Sequence, residues 1–168
     1  MANKIKYGLR SVYYAKATPT TTGSLTYATP VAIPGAVNLS LSAEGEANPF
    51  YADDVIYFQT NANNGYSGTL EVAMIPQSFA TDILCETTSG VMYVEKANTT
   101  PAEFALLFEF QGDESATRHA LFRCTASRPD ISGATKEASI EPQTETLNIT
   151  VMPRIDDFVV KAKCPYTT

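Results

Sequence analysis

The sequence predicts a mainly β protein with one short helix, and three observations support this. Apolar and small polar residues alternate over many short stretches, which is the period of a half-buried strand. Nine glycines and ten prolines separate these stretches as turn signals. A single segment carries apolar residues at helical spacing. A chain of 168 residues is close to the usual size of one domain, so we expect a single domain over 1–168.

Strands are predicted in order from the N-terminal end. Residues 12–16 and 25–27 flank a Thr-, Gly- and Ser-rich turn, which predicts a flexible hairpin at about 17–29. Residues 37–42 and 69–74 each alternate one apolar face with one small polar face. The apolar face of such a strand belongs to the core and the polar face to solvent.

The helix is predicted at 78–84, directly after Pro76. Its apolar residues are spaced i, i+1, i+4 and i+5, which places them on one side of a helix. A stripe of this kind is far more often a packing surface than a cofactor site. The stripe consists of Phe79, Ala80, Ile83 and Leu84.

The second half of the chain predicts further strands. Residues 91–94 form a short one, and 104–110 is apolar on both faces, which is typical of a central strand. Residues 120–126 then return as its hairpin partner. After an irregular connection, 146–151 alternates again, and 158–163 is the candidate last strand.

A long aromatic-rich excursion at about 44–67 separates two of these strands. Loops are normally polar, so we expect one this apolar to fold against another surface. We interpret it as an arm that docks on a neighbouring copy, and the alternative is a hairpin packed in its own core. The candidate anchors are Phe50, Tyr51, Tyr57, Phe58 and Tyr66.

Charge and cysteine usage exclude several classes of protein. The net charge of -6 and the absence of any basic stripe argue against tight binding to nucleic acid. Cys85, Cys124 and Cys164 are odd in number and widely spaced, so we expect reduced and mostly packed thiols. The chain shows neither a signal peptide nor a long apolar run, so we expect a protein made in a reducing cytoplasm, with no membrane partner.

No constellation of residues suggests chemistry. His119 is the single histidine, and no Ser or Cys lies at a spacing that suggests a nucleophile for it. Three acidic pairs fall in predicted turns, where solvated charges are more common than paired catalytic carboxylates. We therefore expect no enzyme, no metal site and no cofactor. The pairs are Asp53-Asp54, Asp113-Glu114 and Asp156-Asp157.

Several segments in one order resemble a known family, and together they cover nearly the whole chain. They are ATPVAIPGA (28–36), NPFYAD (48–53), GYSGTLE (65–71), the run 75–84, FALLFEF (104–110), CTASRP (124–129) and IEPQTET (140–146). With these segments the chain resembles the major tail proteins, or tail tube proteins, of long non-contractile-tailed bacteriophages. The Thr-rich hairpin and the C-terminal tail look individual to this sequence.

The resemblance implies a fold and an assembly. The fold is a two-sheet antiparallel β-sandwich or half-barrel flanked by one short α-helix, the phage tail tube fold, with a long inter-strand arm. Copies close into homo-hexameric rings around a channel, and the rings stack into a tube. The implied partners are the tape measure, tail terminator and distal tail proteins, together with DNA in transient non-specific passage. The implied location is the virion tail, assembled in the host bacterial cytoplasm.

Within this interpretation the small polar faces become candidates for the channel lining. Short neutral or acidic side chains offer DNA phosphates little to bind. The alternative is ordinary solvent-facing polarity. A different class of protein also stays open: a monomeric β-sandwich binding module, such as a carbohydrate or adhesion domain. The candidate lining residues are Asn38, Ser40, Ser42, Thr69, Glu71, Thr146, Asn148 and Thr150.

Overall fold

The computed structural model describes residues 5, 7–21, 23–112, 116–135 and 142–165. These residues form thirteen strands and one short helix, which confirms the mainly β prediction. The elements are β1 Leu9–Pro19, β2 Leu25–Tyr27, β3 Val31–Ala32, β4 Ala36–Glu44, β5 Ala47–Ala52, β6 Val55–Asn61, β7 Gly65–Val72, α1 Gln77–Asp82, β8 Thr87–Ser89, β9 Met92–Val94, β10 Phe104–Phe110, β11 Arg118–Ala126, β12 Glu145–Val151 and β13 Lys161–Cys164.

Nine of these strands belong to one antiparallel sheet. Its order is β2-β1-β10-β11-β12-β7-β4, with β13 paired to β11 and β3 paired to β1. The hydrogen bonding joins these nine strands in one path, and β5–β6 and β8–β9 form two further two-stranded antiparallel sheets. The sheet curls, because β4 at one end of the path comes close to β1 near the other end. The curled sheet encloses a single apolar core.

A tight turn at Pro34 and Gly35 directs the chain from one side of this curl to the other. β3 pairs with β1, and β4 pairs with β7. Gly35 has φ +76°, a left-handed conformation that glycine adopts without strain. Proline followed by glycine is the usual sequence of such a turn.

The core consists of the inward residues of alternating strands. Leu70 and Val72 of β7 and Leu147, Ile149 and Val151 of β12 are almost fully buried, as their alternation predicts. β10 lies between β1 and β11, which confirms that it is a central strand. Each fully buried large apolar side chain contributes roughly 1.5–3 kcal/mol. Among the described residues no polar or charged residue is buried, so the core itself is wholly apolar.

The helix packs on this core through the predicted stripe. Phe79 is 1% exposed and makes edge-to-face contacts with Tyr14 (centroids 5.1 Å apart) and Phe104 (5.4 Å). Ala80, Ile83 and Leu84 are buried beside it. The Tyr14 hydroxyl donates a hydrogen bond to Asp82 at 2.9 Å, so the end of the helix is tied to β1.

The other predicted elements lie close to their expected places. The predicted hairpin at about 17–29 is formed by β1 and β2, which pair at Ala17 with Tyr27 and at Pro19 with Leu25. β13 begins at Lys161, within the predicted range 158–163. Part of the irregular connection after β11, at 136–141, and the acidic pair Asp113-Glu114 lie outside the described residues.

Candidate interaction surfaces

The first surface is a contiguous polar face on three neighbouring strands, β4, β7 and β12. Residues directly opposite each other in an antiparallel pair share a face, and so do alternate residues of one strand. The register therefore places all eight candidate lining residues together. The rows across the strands are Asn38–Glu71–Thr146, Ser40–Thr69–Asn148 and Ser42–Ser67–Thr150.

Ser67 is the ninth member of this polar face, and sequence reasoning assigned it to the arm instead. The sequence does indicate this position, because the alternation of polar residues at Thr69 and Glu71 extends back to Ser67. The Ser67 hydroxyl donates a hydrogen bond to the carboxylate of Glu44. The Thr144 hydroxyl donates one to Glu71 at 2.5 Å. The face thus consists of hydroxyl and amide groups with two carboxylates, Glu71 and Glu44, and no cation.

The second surface is the aromatic hairpin, formed by β5 and β6. Asn64 and Ala62 donate backbone hydrogen bonds to Glu44 and Glu46, so the hairpin continues the ladder between β4 and β7. At its tip, Asp53 and Asp54 have φ values of 52° and 61°. Two consecutive left-handed residues make the type I′ turn that two-residue hairpins favour.

The rings of the aromatic hairpin are exposed on both of its sides. Phe50 lies opposite Phe58, whereas Tyr51 lies opposite Ile56, because a bulge shifts the register between these pairs. The exposed fractions are 60% for Phe50, 62% for Tyr51, 74% for Tyr57 and 60% for Phe58. β5 and β6 contact each other and touch the remaining strands at isolated points at most. In the single chain this hairpin is not packed in a core.

Tyr66 does not belong to the aromatic hairpin, which corrects its place among the expected arm anchors. It lies in β7 and pairs with Val151 and Ala43 in the main sheet. The Lys161 ammonium donates a hydrogen bond to its hydroxyl and lies 4.6 Å from the centre of its ring. The chain re-enters the sheet at Gly65, so the ring of Tyr66 is half-buried against the inside of the curl.

The third feature is an opening into the curl, which we name the lysine mouth. It has a volume of about 270 Å³. Leu39, Leu41 and Phe110 line it and are only half-buried, whereas Lys161 and Lys163 lie exposed at its edge. The lysine mouth combines uncovered hydrocarbon with positive charge.

His119 has a packing role in the structure. Its ring stacks parallel on Phe108 at 5.1 Å and meets Phe110 edge-on at 5.4 Å. It also lines a cavity of about 510 Å³ on the sheet, together with Tyr13, Leu107 and Cys164. Among the residues that the structure describes, no group of three or more His, Cys, Asp or Glu side chains is placed to hold a metal ion.

The acidic pair Asp156-Asp157 serves the turn before β13. Arg154 binds both carboxylates, at 3.2 Å and 2.5 Å. Desolvation acts to raise the pKa of Asp157, but the Val159 amide and the Arg154 guanidinium outweigh it and lower the pKa. A carboxylate held charged by a neighbouring guanidinium stabilises local structure and is a poor proton donor.

The cysteines differ in environment. Cys124 is fully buried, and desolvation raises the pKa of its thiol to about 12. Cys85 is half-buried. Cys164 is exposed at the end of the short strand β13. A thiol protonated as firmly as Cys124 behaves as a small apolar side chain.

Comparison with known proteins adds no identification. No protein-family model matches the chain, and no curated protein matches it. Within the described part of the chain, no helix has the length and apolar character that crossing a membrane requires. The molecule is thus defined by its curled antiparallel sheet, its polar face, its exposed aromatic hairpin and its lysine mouth.

Proposed function

We propose that this chain is a structural virion protein, the subunit of a phage tail tube. Copies form hexameric rings that stack into a hollow tube, and the tube conducts DNA into the host. The observation that carries this proposal is the aromatic hairpin. Four aromatic rings on a two-stranded element are each at least 60% exposed.

Exposed apolar area of this kind marks an interface. Aromatic side chains dominate the energetics of protein interfaces, because a rigid ring buries much area at little entropic cost. The aromatic hairpin would contact a surface elsewhere on the next copy. A contact between two different surfaces produces a ring if the rotation closes and a filament if it does not. Phe50, Tyr51, Tyr57 and Phe58 are the proposed anchors between stacked rings.

The open edge of the main sheet favours the proposal that copies assemble into a ring. β4 is the last strand of the sheet path, so one row of its backbone groups lacks a strand partner among the described residues. Such an edge invites pairing with another chain. In a ring of subunits the edge strands pair with one another, so no edge stays open, and the sheets form a continuous β-barrel around a channel. We propose that the tail tube fold is completed in this way.

The polar face is the proposed channel lining. It carries no cation that would bind a phosphate by releasing counterions from DNA. Its two carboxylates, Glu71 and Glu44, already accept hydrogen bonds from Thr144 and Ser67. The chain as a whole carries a net charge of -6. DNA would therefore pass without being held. The resemblance supplies the remaining proposed partners, which are the tape measure, tail terminator and distal tail proteins.

Excision of the aromatic hairpin tests the proposal. Residues 47–61 are removed and Glu46 is joined to Ala62 by Asn-Gly, which closes a two-residue hairpin on the existing ladder. We expect the purified wild-type protein to form rings or hollow tubes in negative-stain electron microscopy. The shortened variant should stay a folded monomer, because the hairpin adds almost nothing to the core. Tubes of normal length from the variant, or a wild-type protein that stays monomeric under all conditions, would contradict the proposal.

A further inference from the structure

The tip of the aromatic hairpin and the lysine mouth are complementary in character. The tip carries Asp53 and Asp54, flanked by Tyr51, Val55 and Ile56, all more than half exposed. The lysine mouth carries uncovered hydrocarbon and two cations. Opposite charges set beside apolar surface are the arrangement that gives an interface both register and affinity.

The two features lie at the same end of the sheet. Val151 pairs with Tyr66 on one side and with Cys124 on the other, so these residues mark one level. β11 extends beyond that level towards Arg118, and β13 pairs with this extension. The aromatic hairpin continues β4 and β7 beyond the same level.

Copies related by a rotation axis present the same end in the same direction. A hairpin that leaves this end at an angle to the axis therefore reaches the same end of the copy beside it in the ring. From Glu44 to Asp53 an extended strand spans roughly 30 Å, at about 3.3 Å per residue. This is about the diameter of a small domain. The reach of the hairpin is therefore about one domain diameter.

We propose that the tip of each hairpin docks in the lysine mouth of the adjacent copy in the ring. The carboxylates of Asp53 and Asp54 lie against the ammonium groups of Lys161 and Lys163. Ile56 covers the half-buried hydrocarbon of the mouth. This inference rests on the proposed self-assembly. It assigns the tip of the hairpin to the neighbouring copy within the same ring of subunits, whereas the aromatic side chains of the hairpin face the copy in the stacked ring.

Zero-length cross-linking of the assembled full chain identifies the contact. Equal amounts of ¹⁴N- and ¹⁵N-labelled protein are co-assembled and treated with a carbodiimide, which joins a carboxylate to a lysine as an amide. We expect a cross-linked peptide pair that joins residues 53–54 to 161–163 and contains one light and one heavy partner. Assemblies that yield other mixed pairs but lack this one, or that give it only with matched isotopes, would overturn the inference.

Charge exchange provides a second measurement. Asp53→Lys with Asp54→Lys, and separately Lys161→Glu with Lys163→Glu, should each raise the critical concentration for assembly at least tenfold. The variant that carries all four exchanges should assemble close to the wild-type concentration. Asp130→Lys and Lys96→Glu, at exposed positions away from both features, serve as controls.

The outcomes separate this inference from the proposed function. If the charge variants assemble like wild type, the proposed docking is wrong, and the proposed tube assembly is not affected. If they assemble poorly and the fourfold exchange does not restore assembly, the cross-link decides, and its absence rejects the docking. If the wild-type chain never assembles, both proposals fail together.

Discussion

The exposed rings of the aromatic hairpin allow a quantitative prediction. Phe50 and Phe58 lie opposite each other and are each 60% exposed in the single chain. An aromatic side chain buries roughly 150–250 Å² when fully covered, so the uncovered part of each ring is roughly 90–150 Å². At about 25 cal/mol per Å², covering it contributes about 2–4 kcal/mol per ring.

Part of this contribution is absorbed by the loss of freedom on association. We therefore expect Phe58→Ser to weaken subunit addition by about 2 kcal/mol, which is roughly a 30-fold rise in the critical concentration. The same substitution should leave the free energy of unfolding of the monomer within about 0.5 kcal/mol of wild type, because the ring is exposed there.

The assay is the critical concentration from sedimentation, with urea unfolding of the monomer measured in parallel. Tyr93→Ser is the matched control, because Tyr93 is 55% exposed on the second small hairpin, β8–β9. An unchanged critical concentration for Phe58→Ser would refute the interface role. A loss of several kcal/mol in monomer stability would show that the ring packs within its own subunit.

Three further predictions concern the core, a thiol and the polar face. Phe79→Ala should destabilise the monomer by about 3–5 kcal/mol in urea unfolding, because it empties the contact between the helix and the sheet; a loss under about 1 kcal/mol would contradict that packing. Burial raises the pKa of Cys124 from 9.0 to about 12, so the protonated thiol is favoured by the fold and stability should fall as the pH rises from about 9 towards 12. Cys124→Ala should flatten that fall in thermal melts, whereas Cys164→Ala, at an exposed position, should not. Ser40→Lys with Glu71→Lys should slow DNA ejection from intact tails, while Thr88→Lys, exposed on β8, should leave it unchanged.

Local alternation was sufficient to predict the polar face. A strand has a side-chain period of two, so the face of each residue follows from its neighbours once the strand is recognised. Sequence alone did not show that β4, β7 and β12 are adjacent, because pairing between distant strands is set by the whole fold. The adjacency turned three separate stripes into one surface and added Ser67 to it.

The predicted positions of Tyr66 and Phe79 differ in how much the local sequence says about the direction of each side chain. Residue type alone does not distinguish a ring inside a curled sheet from one on a projecting hairpin. Phe79 was placed correctly because its helical spacing to Ile83 carries directional information. Tyr66 stands beside Gly65, where the strand resumes, and its direction depends on a pairing that local sequence does not encode.

The backbone hydrogen bonds that connect the hairpin to the main sheet have a mechanical consequence. A load applied to the tip along the strand direction is passed to β7 and from there to β12, across a register that extends from Val72 with Glu145 to Tyr66 with Val151. Hydrogen bonds perpendicular to such a load are strained together and cannot open one after another. A filament built from these subunits would therefore yield at its contacts before its subunits unravel, and bending would be borne by sliding between copies.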